Sequence, residues 1–336
     1  MGMPMRHWRR LLLHALLSAL FLGALLLRID VPAALRHLRT VDPVWLTLAV
    51  GVFGVSRLVQ AYRWRLFLWH RRGVSVGDLL AIHLIGTLVN TVLPLRVGDV
   101  LRVQLAGQRL RLPRAEITAT VFVVETLMDW LTAALLLAAG SLFLLHVPLL
   151  SAPTVTLIAL LVTALVLGTS ALARLDMSGD LAARRPWCRL PPRPRRLVAA
   201  LLPRFVAGLA ALRDPVAALR AILISLLVYL VETTMYWCLG QAFGLDLAFT
   251  EYFGIMIGAN LVLAVPLTPW NVGPFELAVL EMATLLGVER AAAESYALGA
   301  HLVLIICINT AGVAALWALN LRLRDLVSAG REQSPA

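Results

Sequence analysis

Two short apolar segments hold most of the residues able to do chemistry at membrane depth. The first runs from Ile85-Gly86 through Asn90 and Pro94-Leu95 to Arg96, Gly98, Asp99 and Arg102. The second runs from Ile257-Gly258 through Pro266-Leu267 and Pro269-Trp270-Asn271 to Gly273 and Glu276. In both, Ile-Gly is followed eight residues later by Pro-Leu, then by Val-Gly and a carboxylate; the Ile-Gly pairs lie 172 residues apart in a chain of 336. Proline removes a backbone donor and breaks a helix, and glycine lets the chain turn tightly. The freed backbone groups then need water, protein or substrate. Arg96, at the first break, suits bidentate binding of a phosphate, or closure of the break on Asp99. Asp99 and Arg102 are spaced i,i+3 and can pair on one helix face. Interrupted apolar segments at matching places in two halves point to a transporter's binding site.

Further ionisable residues lie in the surrounding apolar runs, where they are costly and face a cavity or a partner. Glu125 and Asp129, spaced i,i+4, share a face of the next helix; they either neutralise hairpin arginines or carry a proton. Glu276 mirrors Asp99, or else caps a helix beside Asn271 and Gly273. Arg57 and Gln60 share a face of an earlier run, and Glu232 lies within a later one. Arg57–Glu232 and Arg96–Glu125 ion pairs are both open. His301 falls where Asp129 stands in the first half and serves either packing or proton relay.

These residues need long helices to hold them. The chain is 60% hydrophobic and 15% charged, with mean hydropathy +0.84. That composition defines an all-α polytopic membrane protein. Apolar runs near 11–27, 44–62, 117–146, 153–173, 215–240 and 291–320 read as about six full crossings. The segments 79–104 and 251–287 read as two proline-broken re-entrant hairpins, because each half is too short to span. The N-terminal run is longer than a signal-peptide core and lacks a cleavage site, so it reads as a retained first helix.

The net charge is +11, and all 30 basic residues are arginine. Lysine nucleophiles and Schiff bases are therefore excluded. The arginines sit in short loops between apolar runs, which favours a membrane surface over nucleic acid as partner. With the N-terminus placed inside, 23 arginines fall in cytoplasmic segments and 4 outside, so both termini are expected in the cytoplasm of the inner (plasma) membrane. Under that topology residues 1–330 form one domain with a six-residue tail, 331–336. Units 44–146 and 215–320 become inverted repeats joined by a basic cytoplasmic loop, 174–214, with an interfacial helix at 197–212. Three cysteines without CxxC spacing indicate neither a disulfide framework nor a zinc site, and no cofactor is expected. Most of the nine tryptophans fit an interfacial belt; Trp130 and Trp270 do not.

The chain resembles the flippase-like membrane domain of lysylphosphatidylglycerol synthase, the bacterial multiple peptide resistance factor, over roughly residues 8–322. The resemblance rests on Asn90-x3-Pro94-x-Arg96-x-Gly98-Asp99-x2-Arg102, on Glu125-x3-Asp129, and on Pro266-x2-Pro269-x3-Gly273-x2-Glu276. It departs from the family's pattern at Trp270-Asn271 and at Thr126. The bifunctional members carry an aminoacyl-transferase domain, and this chain is expected to be a stand-alone member without one. The resemblance therefore implies lipid translocation between leaflets rather than synthesis, of a phospholipid or of a polyprenyl-, hopanoid- or glycolipid-type substrate. Arg96 and Arg102 would hold phosphate, and Asp99, Glu125, Asp129 and Glu276 would balance charge or take a proton. The competing expectations are an intramembrane transferase or phosphatase, and a non-catalytic partner of a separate lipid-synthesising enzyme. The sequence contains no HExxH or GxxxxGK[ST] motif.

Overall fold

A computed structural model describes residues 41–92, 96–143, 152–174, 191–263 and 268–321, and these are helical with no strand among them. Helix α1 (Pro43–Phe67) opens the described chain. A first hairpin follows, made of α2 (Val76–Val92) and α3 (Val97–Arg109). Next come α4 (Arg114–Thr118), a π-helical stretch (Ala119–Glu125) and α5 (Thr126–Phe143), in unbroken succession. Helices α6 (Ala152–Ala173) and α7 (Pro192–Gly208) lead into the second half. There α8 (Pro215–Ala242) precedes a second hairpin of α9 (Glu251–Leu263) and α10 (Pro274–Leu285), and α11 (Arg290–Ala318) closes the bundle.

Among the described residues, four helices are long and apolar enough to cross a membrane: Pro43–Phe67, Arg114–Leu136, Pro215–Ala242 and Arg290–Ala318. Helix α6, 22 residues long, occupies the expected crossing at 153–173. The expected crossing at 11–27 lies outside the described residues. Leucines stand out from the bundle along α6 (Leu160, Leu161, Leu165) and α8 (Leu219, Leu223, Leu227), giving an outer surface that suits lipid. The hairpin arms have 17, 13, 13 and 12 residues. At 1.5 Å per residue the longest reaches about 26 Å, short of a hydrocarbon core of about 30 Å.

Local chemistry explains where the two leading helices start. Asp42 caps α1 by accepting the Val44 N–H at 2.8 Å, and Pro43 occupies the first turn. Asp214 caps α8 in the same way, accepting the Val216 N–H at 3.0 Å ahead of Pro215. The two Asp-Pro-Val caps lie 172 residues apart. Helices α1 and α8 pack antiparallel: the Asp42 N–H donates to the Ala242 carbonyl at one end, and Arg63 reaches Ser225 toward the other.

Two apolar cores flank the charged middle. One gathers around Trp64, Phe67, Ile82 and Ile117; the other gathers around Tyr252, Phe275, Leu280 and Tyr296. The first hairpin closes backbone against backbone. A Cβ on Gly98 would lie 1.9 Å from the Gly86 carbonyl oxygen, so only glycine permits this approach.

Two expectations change on folding. Helix α1 continues past residue 62 to Phe67, so Arg63 and Arg65 are helical rather than loop charges, and Arg63 is buried. The helix expected at 197–212 spans Pro192–Gly208, followed by a 3₁₀ turn at Ala210–Leu212. Its end docks on α4: Val206 and Leu209 are fully buried, and a Cβ on Gly208 would lie 2.3 Å from the Glu116 carbonyl oxygen. The fully buried Glu116 carboxylate binds Arg71 through both oxygens and His70 at 2.9 Å, anchoring this end of the bundle. That hydrogen-bonded carboxylate holds the Arg71 guanidinium above its ordinary value.

Candidate functional site

The two hairpin breaks face a common polar centre. At the first break Arg96 takes a left-handed conformation (φ 53°), and at the second Trp270 and Asn271 do the same (both φ 53°). Non-glycine residues held there cost about 1–3 kcal/mol each and gather at functional sites. Pro94 and Pro266, expected to make these breaks, lie outside the described residues. Pro269 opens a 3₁₀ turn through Asn271, and Gly273 (φ 95°) turns the chain into α10. Asp99 and Glu276 occupy the same place, the third residue of the returning arm. A carboxylate is stabilised there by the helix N-terminus. One Glu276 oxygen accepts the Gly273 N–H at 2.7 Å, so Glu276 does cap its helix, while its other oxygen meets His301 Nδ1 at 2.7 Å. The His301 ring stacks on Phe275, with centroids 4.2 Å apart.

Two cavities adjoin between the hairpins. One, of about 220 Å³, is lined by Arg57, Asn90, Arg96, Asn260, Asn271 and His301, among others. The second, of about 490 Å³, is lined by Gln60, Arg63, Glu125, Asp129, Trp130 and Tyr229, among others. Arg96, Glu232, Asn260 and Leu263 belong to both walls. Trp130 and Trp270, which did not fit an interfacial belt, each line one of these cavities.

The charges are organised into three connected groups. Glu232 receives Arg57 at 2.9 Å, Gln60 at 2.6 Å and Asn260 at 3.2 Å, so the Arg57–Glu232 pairing forms. Gln60 and Glu232, which touch, are themselves 172 residues apart. In the second group Arg102 donates to Glu125 at 2.8 Å and to Asp99 at 3.4 Å, beneath the Trp64 ring at 4.6 Å. Arg63 bridges Asp129 and Glu125 and ties this group to α1. Asn90 adds an N–H bond to Asp99 at 3.0 Å. Glu276 and His301 form the third.

Glu125 therefore meets Arg102 and Arg63, and the alternative Arg96–Glu125 pair does not form. Arg102 is buried and lines neither cavity, so its guanidinium is committed within the protein. Arg96 differs: its side chain is 44% exposed, and its ion-pair partner is Asp99 at 3.7 Å. It is the loosely held cation between the cavities.

The sequence reading missed Arg63 as a site residue, counting it with loop arginines. Asn260 was also passed over, although it lies within the second broken segment. The π-helical Ala119–Glu125 had no sequence signal. Such stretches are rare and recur at functional sites. Here it delivers Glu125 and Asp129 to the same arginine. Among the described residues, no group of three or more His, Cys, Asp and Glu could hold a metal ion.

Bundled apolar helices around a buried, charged centre with paired short hairpins define a polytopic helical membrane protein. Residues 11–312 match the family described as lysylphosphatidylglycerol synthase TM region, and the chain belongs to that family. No curated protein matches it.

Proposed function

We propose that this protein carries a lipid with an anionic headgroup between the leaflets of the inner membrane, as a carrier rather than an enzyme. The observation that carries the reading is Arg96, an exposed and weakly paired cation at a hairpin break, facing two adjoining cavities. A phosphate entering there would displace the long contact to Asp99 and gain charge-assisted hydrogen bonds from Arg96. Asn90 and Asn271 extend the polar wall, and each has a buried side-chain carbonyl oxygen with no hydrogen-bond partner, able to accept from a headgroup hydroxyl or ammonium beside the phosphate. Acyl chains would remain among the outer leucines while the headgroup occupies the cavity. Membership in the family supports a role with membrane lipid.

The same reading takes the two halves as inverted repeats, with re-entrant hairpins dipping from opposite faces. It is supported by the matching Asp-Pro-Val caps, by the antiparallel α1 and α8 that they open, and by the Gln60–Glu232 contact at the same 172-residue spacing. Such symmetry suits alternating access. Energy would come from a gradient or from lipid imbalance, and a lipid-synthesising enzyme would supply substrate from a separate chain.

Leaflet exchange of labelled lipids in proteoliposomes tests the proposal, with wild type beside Arg96→Ala and Glu276→Ala. Fast exchange in wild type that falls in both variants is the expected result. No exchange across anionic, aminoacylated and polyprenyl lipids would overturn it. Chemical conversion of a lipid by the purified protein would establish an enzyme instead.

A further inference from the structure

The two hairpins are fastened to the crossings that follow them by different chemistry. In the first, Arg102 on the returning arm meets Glu125 at 2.8 Å. Arginine stays charged at any physiological pH, so this link is constant. In the second, Glu276 on the returning arm meets His301 at 2.7 Å. Imidazole is the side chain whose ordinary charge change falls between pH 5 and 8. Both residues are almost wholly buried, and His301 lines the 220 Å³ cavity. A proton arriving on His301 breaks nothing: it converts the existing hydrogen bond into an ion pair, and Glu276 keeps its bond to the Gly273 N–H.

We propose that Glu276 and His301 form a proton-binding site in the wall of the cavity, and that a proton there and an anionic headgroup in the cavity favour each other's binding. This rests on the headgroup reading above and names its coupling ion. The charged groups that share the cavity are Arg57 and Arg96, from α1 and the first hairpin, and Glu232 from α8, which also contributes the ionisable Tyr236. Helix α2 contributes the uncharged Thr87, Asn90 and Thr91, and the second break contributes Trp270 and Asn271. Arg57 is already neutralised by Glu232 at 2.9 Å. Arg96 has only the long 3.7 Å contact to Asp99, which Arg102 also engages, so the sign of the wall turns on Arg96 and on the Glu276–His301 pair. Without the proton the pair carries one negative charge that offsets Arg96. With the proton the pair is neutral, and Arg96 is left to attract an anion. By linkage the preference is reciprocal: headgroup binding draws a proton onto the pair.

The test uses the purified full chain in uncharged detergent and dihexanoylphosphatidylglycerol, whose phosphodiester does not titrate near neutrality. Lipid affinity is followed by calorimetry, and proton uptake by a pH indicator in weakly buffered solution. Wild type should bind roughly tenfold more tightly at pH 6 than at pH 8, within the usual range of coupling between sites, and should take up a fraction of a proton per lipid bound. His301→Gln keeps a donor to Glu276 and cannot take the proton; it should show no pH dependence and no uptake. Binding by wild type without proton uptake would overturn this proposal and leave the headgroup reading standing. Uptake persisting unchanged in His301→Gln would also overturn it. Absence of lipid binding at both pH values would instead defeat the headgroup reading, and this proposal with it. Should His301→Gln not fold, uptake by wild type decides.

Discussion

Removing the guanidinium of Arg102 tests whether the charged centre works as a closed electrostatic unit. Arg102→Met keeps the apolar stem and deletes the charge. Glu125 then loses its 2.8 Å partner and retains only Arg63 at 3.5 Å. Asp99 loses a 3.4 Å contact and retains the Asn90 N–H at 3.0 Å and Arg96 at 3.7 Å. Removing one partner of a buried pair costs about 3–5 kcal/mol, and the partners that survive here place the loss near the lower end. The vacated position over Trp64 forfeits a cation–π contact of about 1 kcal/mol. The expected total is roughly 3–4 kcal/mol in the unfolding free energy, measured by denaturing-detergent titration of the purified chain in mixed micelles. Adding Glu125→Gln removes the stranded charge, so the double variant should recover part of that loss, with a coupling energy of about 1–3 kcal/mol. A loss below about 1 kcal/mol for Arg102→Met would refute the reasoning. So would a coupling energy indistinguishable from zero, since Arg102 and Glu125 would then not depend on each other.

Three other perturbations separate architecture from function. Arg96→Ala should change stability by no more than about 1 kcal/mol, because its side chain is exposed and its ion pair long, yet weaken binding of a phosphate-bearing lipid about tenfold or more by calorimetry. Gly98→Ala should be far more damaging than an ordinary glycine substitution. Its Cβ would sit 1.9 Å from the Gly86 carbonyl oxygen, so the arms must separate, and a loss of about 1–3 kcal/mol or more should accompany loss of lipid exchange. Asp42→Ala and Asp214→Ala each remove one helix cap and should each cost about 1 kcal/mol in the same unfolding titration.

Much of the architecture was legible in the chain because its causes are local. Apolar length marks which segments can cross, and Gly98, Pro269 and Gly273 stand where the described parts of the two hairpins turn. A charge at membrane depth marks a position that needs a partner, so Arg57, Glu125, Asp129, Glu232 and His301 stood out before any fold was known. One available signal went unused: the Asp-Pro-Val triplets at 42–44 and 214–216 cap α1 and α8 at the same 172-residue spacing as the hairpins.

Which charge meets which could not be read from the chain. Arg63 stands in the run Tyr62-Arg63-Trp64-Arg65, which looks like the end of a crossing. Only the packing of α1 against the π-helical stretch and α8 buries it on Asp129 and Glu125, more than sixty residues away. Arg96 and Arg102 looked equivalent as phosphate ligands. The close approach of Gly86 and Gly98 places Arg102 between Asp99, Glu125 and Trp64 and leaves Arg96 facing the cavities. Hydropathy and helix breaks depend on neighbours along the chain. Ion-pair partners depend on distances of a few ångströms between helices far apart in sequence, so only the tertiary structure could choose among them.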